Sequence, residues 1–143
     1  MRLTKLATVV IVLLTATACQ KDDPNALGII NRNTPFSLQK EQDIDLSGSH
    51  LSLSVVSIKD SRCPTGMVCI WQGQALVAVK LMEGKLLAAE DTLCLGDCSQ
   101  SAFTNTIGFT YRLTVYKLKL KEVNPFPGAT QKATSHKAAF EWL

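Results

Sequence analysis

The sequence predicts an all-β fold, an antiparallel β-sandwich or a partly open barrel of about seven to nine short strands. Three observations lead to this prediction. Apolar and polar residues alternate with a period of two from Phe36 onward, Gly and Pro separate the alternating runs, and only residues 86–90 could form a helical turn. Short strands with turns between them and almost no helical pattern are typical of sandwiches and barrels.

The strands predicted in the first half of the domain follow from this alternation. In residues 51–55, leucine and valine alternate with serine, which is the pattern of a strand with one buried face. The alternation changes phase at Val56, which indicates a β-bulge. A second strand is predicted over residues 71–81, and the Glu-Gly pair that follows leads by a turn into a third strand over residues 85–93.

The second half of the chain predicts two more strands and a solvated face. Residues 111–121 alternate, with a change of phase at Tyr116, and the sequence Pro-Phe-Pro-Gly at 125–128 ends this strand. Small and aromatic residues alternate over residues 138–142, which predicts the last strand. The lysines at alternate positions 117, 119 and 121 are expected on the solvated side, where they also discourage edge pairing. The alternative interpretation is that these three lysines form a stripe that binds an anion.

Aromatic side chains are expected to fill the core. The core of a sandwich is about 10 Å thick between the two sheets, a distance that large side chains can span. The residues assigned to it are Phe36, Trp71, Phe103, Phe109, Phe126, Phe140 and Trp142.

The N-terminus has the three parts of a secretory signal peptide. Arg2 and Lys5 form a short basic start, residues 6–18 carry no charge, and small residues precede Cys19. The apolar run is too short to cross a bilayer, since a spanning helix needs about 20 residues. A cysteine in this place resembles a bacterial lipobox, which implies cleavage before Cys19 and lipidation of its thiol. The alternative is an ordinary secreted protein with a chance cysteine at the cleavage site.

The residues after Cys19 predict where the lipidated protein goes. Lys21, Asp22 and Asp23 resemble the export signal by which lipoproteins of Bacteroidota reach the outer face of the outer membrane. The alternative interpretation is that these residues are only a solvated polar tether. The protein would then lie on the periplasmic face of the membrane. In both cases the expected partner at the membrane is the bilayer, through the lipid on Cys19.

The predicted cleavage divides the chain into three parts. They are a signal peptide over residues 1–18, a lipidated tether over residues 19–35 and one β-sandwich domain over residues 36–143. Arg2 and Lys5 leave with the signal peptide, so the 15 basic residues of the full chain become 13, against 12 acidic residues. This near-neutral charge argues against nucleic acid or an anionic membrane surface as a partner. A monomer is expected.

The cysteines that remain after lipidation predict disulfides. Four cysteines in an exported domain form two disulfides in one of three connectivities. Cys63 and Cys69 enclose a Pro-Thr-Gly sequence that favours a type I turn, and Cys94 and Cys98 enclose Leu-Gly-Asp. We predict pairing within each short segment. Each small ring then stabilises the domain by about 2 kcal/mol.

The segment around the first cysteine pair resembles the signature of a family of small exported bacterial lipoproteins and secreted proteins. The residues that carry the resemblance are Asp60, Ser61, Arg62, Cys63 and Pro64, followed by Cys69, Trp71, Gly73 and Ala75. They form the pattern D-S-R-C-P, a short loop, then C-x-W-x-G-x-A. The resemblance extends loosely over residues 36–143. It implies a β-sandwich and no particular activity, and the second cysteine pair is not part of it.

Physical chemistry gives this segment a structural role. A Cys63–Cys69 disulfide would staple the turn that enters the strand of Trp71. Gly73 would allow a neighbouring chain to come close to the backbone. Arg62 can bond a carboxylate such as Asp60, or loop carbonyl groups.

Enzymatic and metal-binding functions find little support in the sequence. The two histidines, His50 and His136, belong to no catalytic motif, so neither an enzyme nor a cofactor is expected. A copper site built from Cys63, Met67, Cys69 and a histidine is an alternative, because soft sulfur ligands suit Cu(I).

The remaining hypothesis is a non-catalytic binding or interaction module on a lipid anchor, with a glycan or protein ligand at the cell surface. A sandwich presents loops at both ends, which can carry such a site. A secreted inhibitor of a hydrolase is the second alternative. Asp91, Thr92 and Leu93 resemble the acceptor used by Bacteroidota for O-glycosylation, which predicts a sugar on Thr92.

Overall fold

The computed structural model describes residues 35–46, 50–128 and 135–143, and every regular element in these ranges is a strand. The strands are β1 (Phe36–Gln39), β2 (Asp43–Asp45), β3 (Leu51–Asp60), β4 (Gln74–Glu83), β5 (Leu86–Gly96), β6 (Thr106–Tyr111), β7 (Thr114–Asn124) and β8 (Lys137–Trp142). Their number in these ranges agrees with the prediction. Nothing in the same ranges forms a helix of the length and apolarity needed to span a membrane.

The strands form two antiparallel sheets, which confirms the predicted β-sandwich. One sheet has the strand order β1-β8-β7-β6 and the other has the order β2-β3-β4-β5. The chain passes from the first sheet to the second after β1, where the Glu41 N–H donates to the Val55 carbonyl at 2.8 Å. The two four-stranded sheets pack face to face, as in a sandwich, and a bridge between Lys40 and Val55 joins them where the chain crosses over.

The core lies between the sheets and consists of the alternating apolar side chains. Those buried on β3 and β4 are Leu51, Leu53, Val55, Ala75, Val77, Val79 and Leu81. Those buried on β7 and β8 are Leu118, Leu120, Val123, Ala138, Phe140 and Trp142. Burying a leucine or valine side chain fully is worth about 1.5–3 kcal/mol relative to exposure. This gain fixes which face of each strand turns inward.

Part of the aromatic core is as predicted. Phe36 stacks on Phe140 with ring centroids 5.6 Å apart, and Phe109 meets Trp142 edge to face at 5.6 Å. The core assignment is wrong for the three residues that lie in loops and are exposed, Trp71, Phe103 and Phe126. All three lie outside the strands, so the alternation that turns every second side chain toward the core does not act on them.

Residues 111–121 contain a hairpin turn, and not the single strand predicted. β6 ends at Tyr111 and β7 begins at Thr114, so Arg112 and Leu113 are the two turn residues. Their φ angles are positive, 45° and 65°, as in the two-residue turns whose twist matches that of the flanking strands. Alternation alone could not reveal the turn, because the fully exposed Leu113 is apolar.

A polar cluster supports this hairpin from the other sheet. The Tyr111 hydroxyl donates to Glu83 Oε1 at 2.5 Å, and Arg112 Nη2 donates to the same oxygen at 2.9 Å. The hydrogen bond from Tyr111 lowers the pKa of Glu83, and the same bond raises the pKa of Tyr111. A tertiary contact therefore holds a turn that lacks the Asn-Gly sequence usual in such hairpins.

The predicted bulge in β3 is confirmed by a shift in its register with β4 between Val55 and Ser57. The three alternating lysines of β7 point away from the core, as predicted. Their expected role at a sheet edge is wrong, because β7 pairs with β6 on one side and β8 on the other. The edge strands of that sheet are β1 and β6.

Candidate functional site

Three loops meet at one end of the sandwich, which we call the braced end, and each disulfide has at least one cysteine in these loops. They are residues 61–73 between β3 and β4, which we call the braced loop, residues 97–105 between β5 and β6, and residues 125–128 after β7. The Thr65 N–H donates to the Pro127 carbonyl at 3.0 Å, which joins the braced loop to the loop after β7.

Each disulfide closes a short ring at this end. Cys63 is bonded to Cys69 and Cys94 to Cys98, with Cα atoms 6.0 and 6.1 Å apart. Both predicted disulfide bonds are therefore present, each within its own segment. Because the sulfur atoms are bonded to each other, the copper alternative lacks its cysteine ligands. In the described ranges, no group of three or more His, Cys, Asp or Glu residues could hold a metal ion.

A buried ion pair between Asp60 and Arg62 lies at the base of the braced loop. The two side chains are 2% and 7% exposed. Arg62 Nε donates to Asp60 Oδ1 at 2.9 Å and Nη2 donates to Oδ2 at 2.6 Å, a two-point contact of the strong kind. Nη2 also donates to the Val123 carbonyl of β7 at 2.7 Å. Arg62 therefore ties the braced loop to the opposite sheet.

Two further side chains surround the ion pair. The ring centroid of Phe126 lies 4.3 Å from Arg62 Cζ, a cation–π contact. His136 Nε2 lies 3.8 Å from Asp60 Oδ2. Phe126 therefore covers the guanidinium instead of filling the core, and its other side remains in solvent.

Gly73 closes the base of the braced loop. Its φ is +74°, and a Cβ at this position would lie 2.0 Å from the Ser61 carbonyl oxygen, so only glycine fits. Beside it the Cys63 N–H donates to the Gln72 carbonyl at 2.8 Å, which extends the pairing of β3 and β4 into the loop. Because β4 begins after Gly73, the placement of Trp71 on this strand is wrong.

The disulfide ring of the braced loop contains a tight turn. The Met67 N–H donates to the Pro64 carbonyl at 3.2 Å, and Gly66 between them has a φ of +81°. A positive φ at the third residue belongs to a type II turn, so the type I turn predicted here is wrong. The difference follows from glycine, which adopts this conformation at little cost.

The loop of residues 97–105 bridges the two sheets. The Cys94 N–H of β5 donates to the Thr104 carbonyl at 2.9 Å, and the Leu120 N–H of β7 donates to the Asn105 carbonyl at 2.8 Å. Adjacent residues of the loop thus bond to opposite sheets. These two hydrogen bonds hold the end of the loop between the sheets and limit its movement.

Asp97 connects these two loops. Its N–H donates to the Gly73 carbonyl at 3.0 Å, and its carboxylate accepts the Ser99 hydroxyl at 2.6 Å. The hydrogen bonds from Ser99, followed by a smaller one from the Trp71 side chain, lower the pKa of Asp97.

The braced loop exposes a run of apolar side chains. Val68 and Ile70 are 102% and 111% exposed, as much as in an isolated peptide. The other exposed apolar side chains of the braced end are Met67, Trp71, Phe103 and Phe126. Apolar side chains concentrated in one region of a surface mark interaction sites.

The braced end carries very little charge. Among Asp, Glu, Lys and Arg, its three loops contain only Arg62 and Asp97. Arg62 is buried in its ion pair, and Asp97 is partly buried beside Ser99. The exposed surface of these loops therefore carries little charge, and it combines the apolar side chains with neutral polar ones such as Gln72, Ser99 and Gln100.

The other residues singled out in the sequence lie away from this end or outside the described ranges. Cys19, Lys21, Asp22 and Asp23 lie outside the described residues. Thr92 is half-buried on β5, an edge strand, opposite Ala78 of β4. A sugar on Thr92 stays a prediction.

No protein-family model matches this chain, and no curated protein or solved structure matches it. Its function is therefore argued from the residues of the braced end.

The sequence did not identify Met67, Val68 and Ile70 as exposed residues. A signal for this was present, because two cysteines and two glycines interrupt the alternation between β3 and β4. Apolar residues between such breaks belong to a loop. Whether a loop residue is exposed depends on its neighbours in space, which the spacing does not reveal.

Proposed function

We propose that this protein is a non-catalytic binding module, anchored to the outer membrane by a lipid on Cys19 and displayed at the cell surface. The braced end binds the ligand, a protein or a glycan. The observation that supports this most directly is the full exposure of Val68 and Ile70 on a loop with a fixed backbone. A loop that is already ordered loses little conformational entropy on binding.

The chemistry of the braced end supports binding over catalysis. General acid–base or nucleophilic catalysis needs accessible titratable groups that converge on a substrate. Here the Asp60 carboxylate is occupied by Arg62, and Asp97 accepts hydrogen bonds from Ser99. The groups that reach solvent include valine, isoleucine, methionine and aromatic side chains, which bind by burying apolar surface.

The anchor is proposed from the sequence and is tested by two variants. Changing Cys19 to Ala should abolish labelling by a radioactive fatty acid and release the protein from membranes. Changing Lys21, Asp22 and Asp23 together to Ala should keep the label but protect the protein from protease added to whole cells. Membrane retention of an unlabelled wild type would contradict the anchor. Equal digestion of the triple variant and the wild type would contradict surface export.

The binding surface is tested by site-specific photo-crosslinking on whole cells in their natural growth environment. A photoreactive residue in place of Ile70 should give a covalent adduct with the ligand. The matched control replaces Lys117, which is exposed on the outer face of β7, and should give none. Absence of an adduct from Ile70, or an equal yield from both positions, would show that the braced end is not the binding surface.

A further inference from the structure

The braced loop exposes four apolar side chains, Met67, Val68, Ile70 and Trp71. Val68 and Ile70 point fully into solvent, while Cys69 between them turns inward to its disulfide. Side chains that alternate between two sides are a property of an extended chain. Residues 67–70 have negative φ, as extended residues do, and the chain bends at Ile70 and Trp71. Within residues 67–71, Val68 and Ile70 are the most exposed side chains, Met67 and Trp71 are exposed to a smaller extent, and Cys69 is turned toward its disulfide.

The backbone of the same segment is fixed at both ends and free in the middle. The disulfide, the Cys63–Gln72 hydrogen bond and the Thr65–Pro127 hydrogen bond fix its ends. Among the described residues, the N–H groups of Val68 and Ile70 donate to no other group. These groups are available to a partner that binds an extended strand by main-chain hydrogen bonds, with pockets for alternate side chains.

The charges favour a protein partner over a lipid surface. Loops that bind anionic membranes combine apolar residues with lysine or arginine. The braced loop has Arg62 as its basic residue, and this side chain is buried in the ion pair with Asp60. An uncharged apolar projection is complementary to an uncharged apolar cleft.

From this geometry we propose that residues 67–71 insert into the substrate cleft of an endopeptidase with an apolar specificity pocket, and inhibit it. Such a cleft is concave, binds an extended chain through its backbone and accepts apolar side chains. The braced loop supplies the complementary shape in a preorganised form, which raises affinity. Inhibition is by binding alone, and no covalent bond is formed or broken. The proposal rests on the proposed function, since it names the partner of the braced end.

The test is an inhibition assay with the mature chain carrying Cys19→Ala, which needs no detergent. The probes are chymotrypsin, pancreatic elastase and subtilisin, which accept apolar side chains, with trypsin as the comparison enzyme that requires a basic one. At micromolar concentration the protein should inhibit at least one of the first three and leave trypsin active. Val68→Asp with Ile70→Asp should weaken inhibition by about 100-fold, the effect of losing central interface residues. Lys117→Asp should leave inhibition unchanged.

Three outcomes would overturn the proposal. They are no inhibition of any of the three enzymes, rapid cleavage within residues 67–71 as an ordinary substrate, and equal inhibition by the doubly substituted variant. Circular dichroism and a count of free thiols establish that the variant is folded with both disulfides. If Ile70 gives a crosslinked adduct on cells while no peptidase is inhibited, the binding surface stands and the peptidase proposal fails. If neither result is obtained, both proposals fail.

Discussion

Replacing Arg62 with Met is expected to lower the free energy of unfolding by about 3–5 kcal/mol, the usual effect of removing one member of a buried ion pair. The Asp60 carboxylate, 2% exposed, would lose both guanidinium hydrogen bonds. The Val123 carbonyl would lose its bond from Nη2 as well. Denaturation with urea, followed by tryptophan fluorescence, measures the change.

Arg112→Met is the matched control, because Arg112 forms the same kind of contact with Glu83 at the surface. Its side chain is 66% exposed, and its ion-pair distance is 2.9 Å. An exposed pair contributes at most about 1 kcal/mol. Asp60→Leu combined with Arg62→Met should recover part of the loss, since no buried charge is then left alone. Equal effects of the two single substitutions would contradict the structural role of Arg62.

Gly73→Ala is expected to destabilise the domain by at least about 3 kcal/mol, from a left-handed backbone and a severe overlap together. The added Cβ would lie 2.0 Å from the Ser61 carbonyl oxygen and 2.8 Å from Arg62 Cα. Both contacts are to backbone, so no side-chain rotation relieves them. The segments on either side of Gly73 would have to separate, and the Asp97 N–H would lose its partner at the Gly73 carbonyl.

Gly66→Ala separates the two causes. Gly66 also has a positive φ, +81°, but a Cβ there would meet no atom within 4 Å. Only the conformational penalty remains, about 1–2 kcal/mol. Thermal unfolding of the three proteins in parallel should rank the wild type first, then Gly66→Ala, then Gly73→Ala. A Gly73→Ala protein as stable as the Gly66→Ala protein would mean that residues 61 and 73 are not in contact.

These two predictions bear on the proposed binding surface. Arg62 and Gly73 do not reach solvent as Val68 and Ile70 do, yet they hold the base from which the braced loop projects. Conservative variants at these positions should weaken binding through loss of order in the loop. Variants at Val68 and Ile70 should weaken binding without loss of stability, because their side chains contact little of the domain in the folded protein. Measuring both the stability and the crosslinking yield of each variant distinguishes residues that position the loop, Arg62 and Gly73, from residues that contact the ligand, Val68 and Ile70.

The sequence determined the fold class, the strands with strong alternation and the presence of disulfides. Residues 51–55 and 75–81 bury every second side chain because strand geometry turns successive residues to opposite faces. The period is local and can be read from a few residues. The bulge at Val55 is likewise visible as a change of phase.

Tertiary structure alone decided which apolar residues outside the strands are buried and what surrounds the signature segment. Trp71 and Leu113 both continue the alternation of a neighbouring strand. Trp71 nevertheless lies in the loop before β4, and Leu113 lies in the turn between β6 and β7. Arg62 forms its ion pair with Asp60, two residues away in the sequence. Its second partner, the Val123 carbonyl, is 61 residues away and comes close only in the folded protein. Burial of a loop residue depends on groups brought near it by distant parts of the chain. Periodicity carries no information about those groups, so the exposed apolar surface of the braced end emerges only in the folded protein.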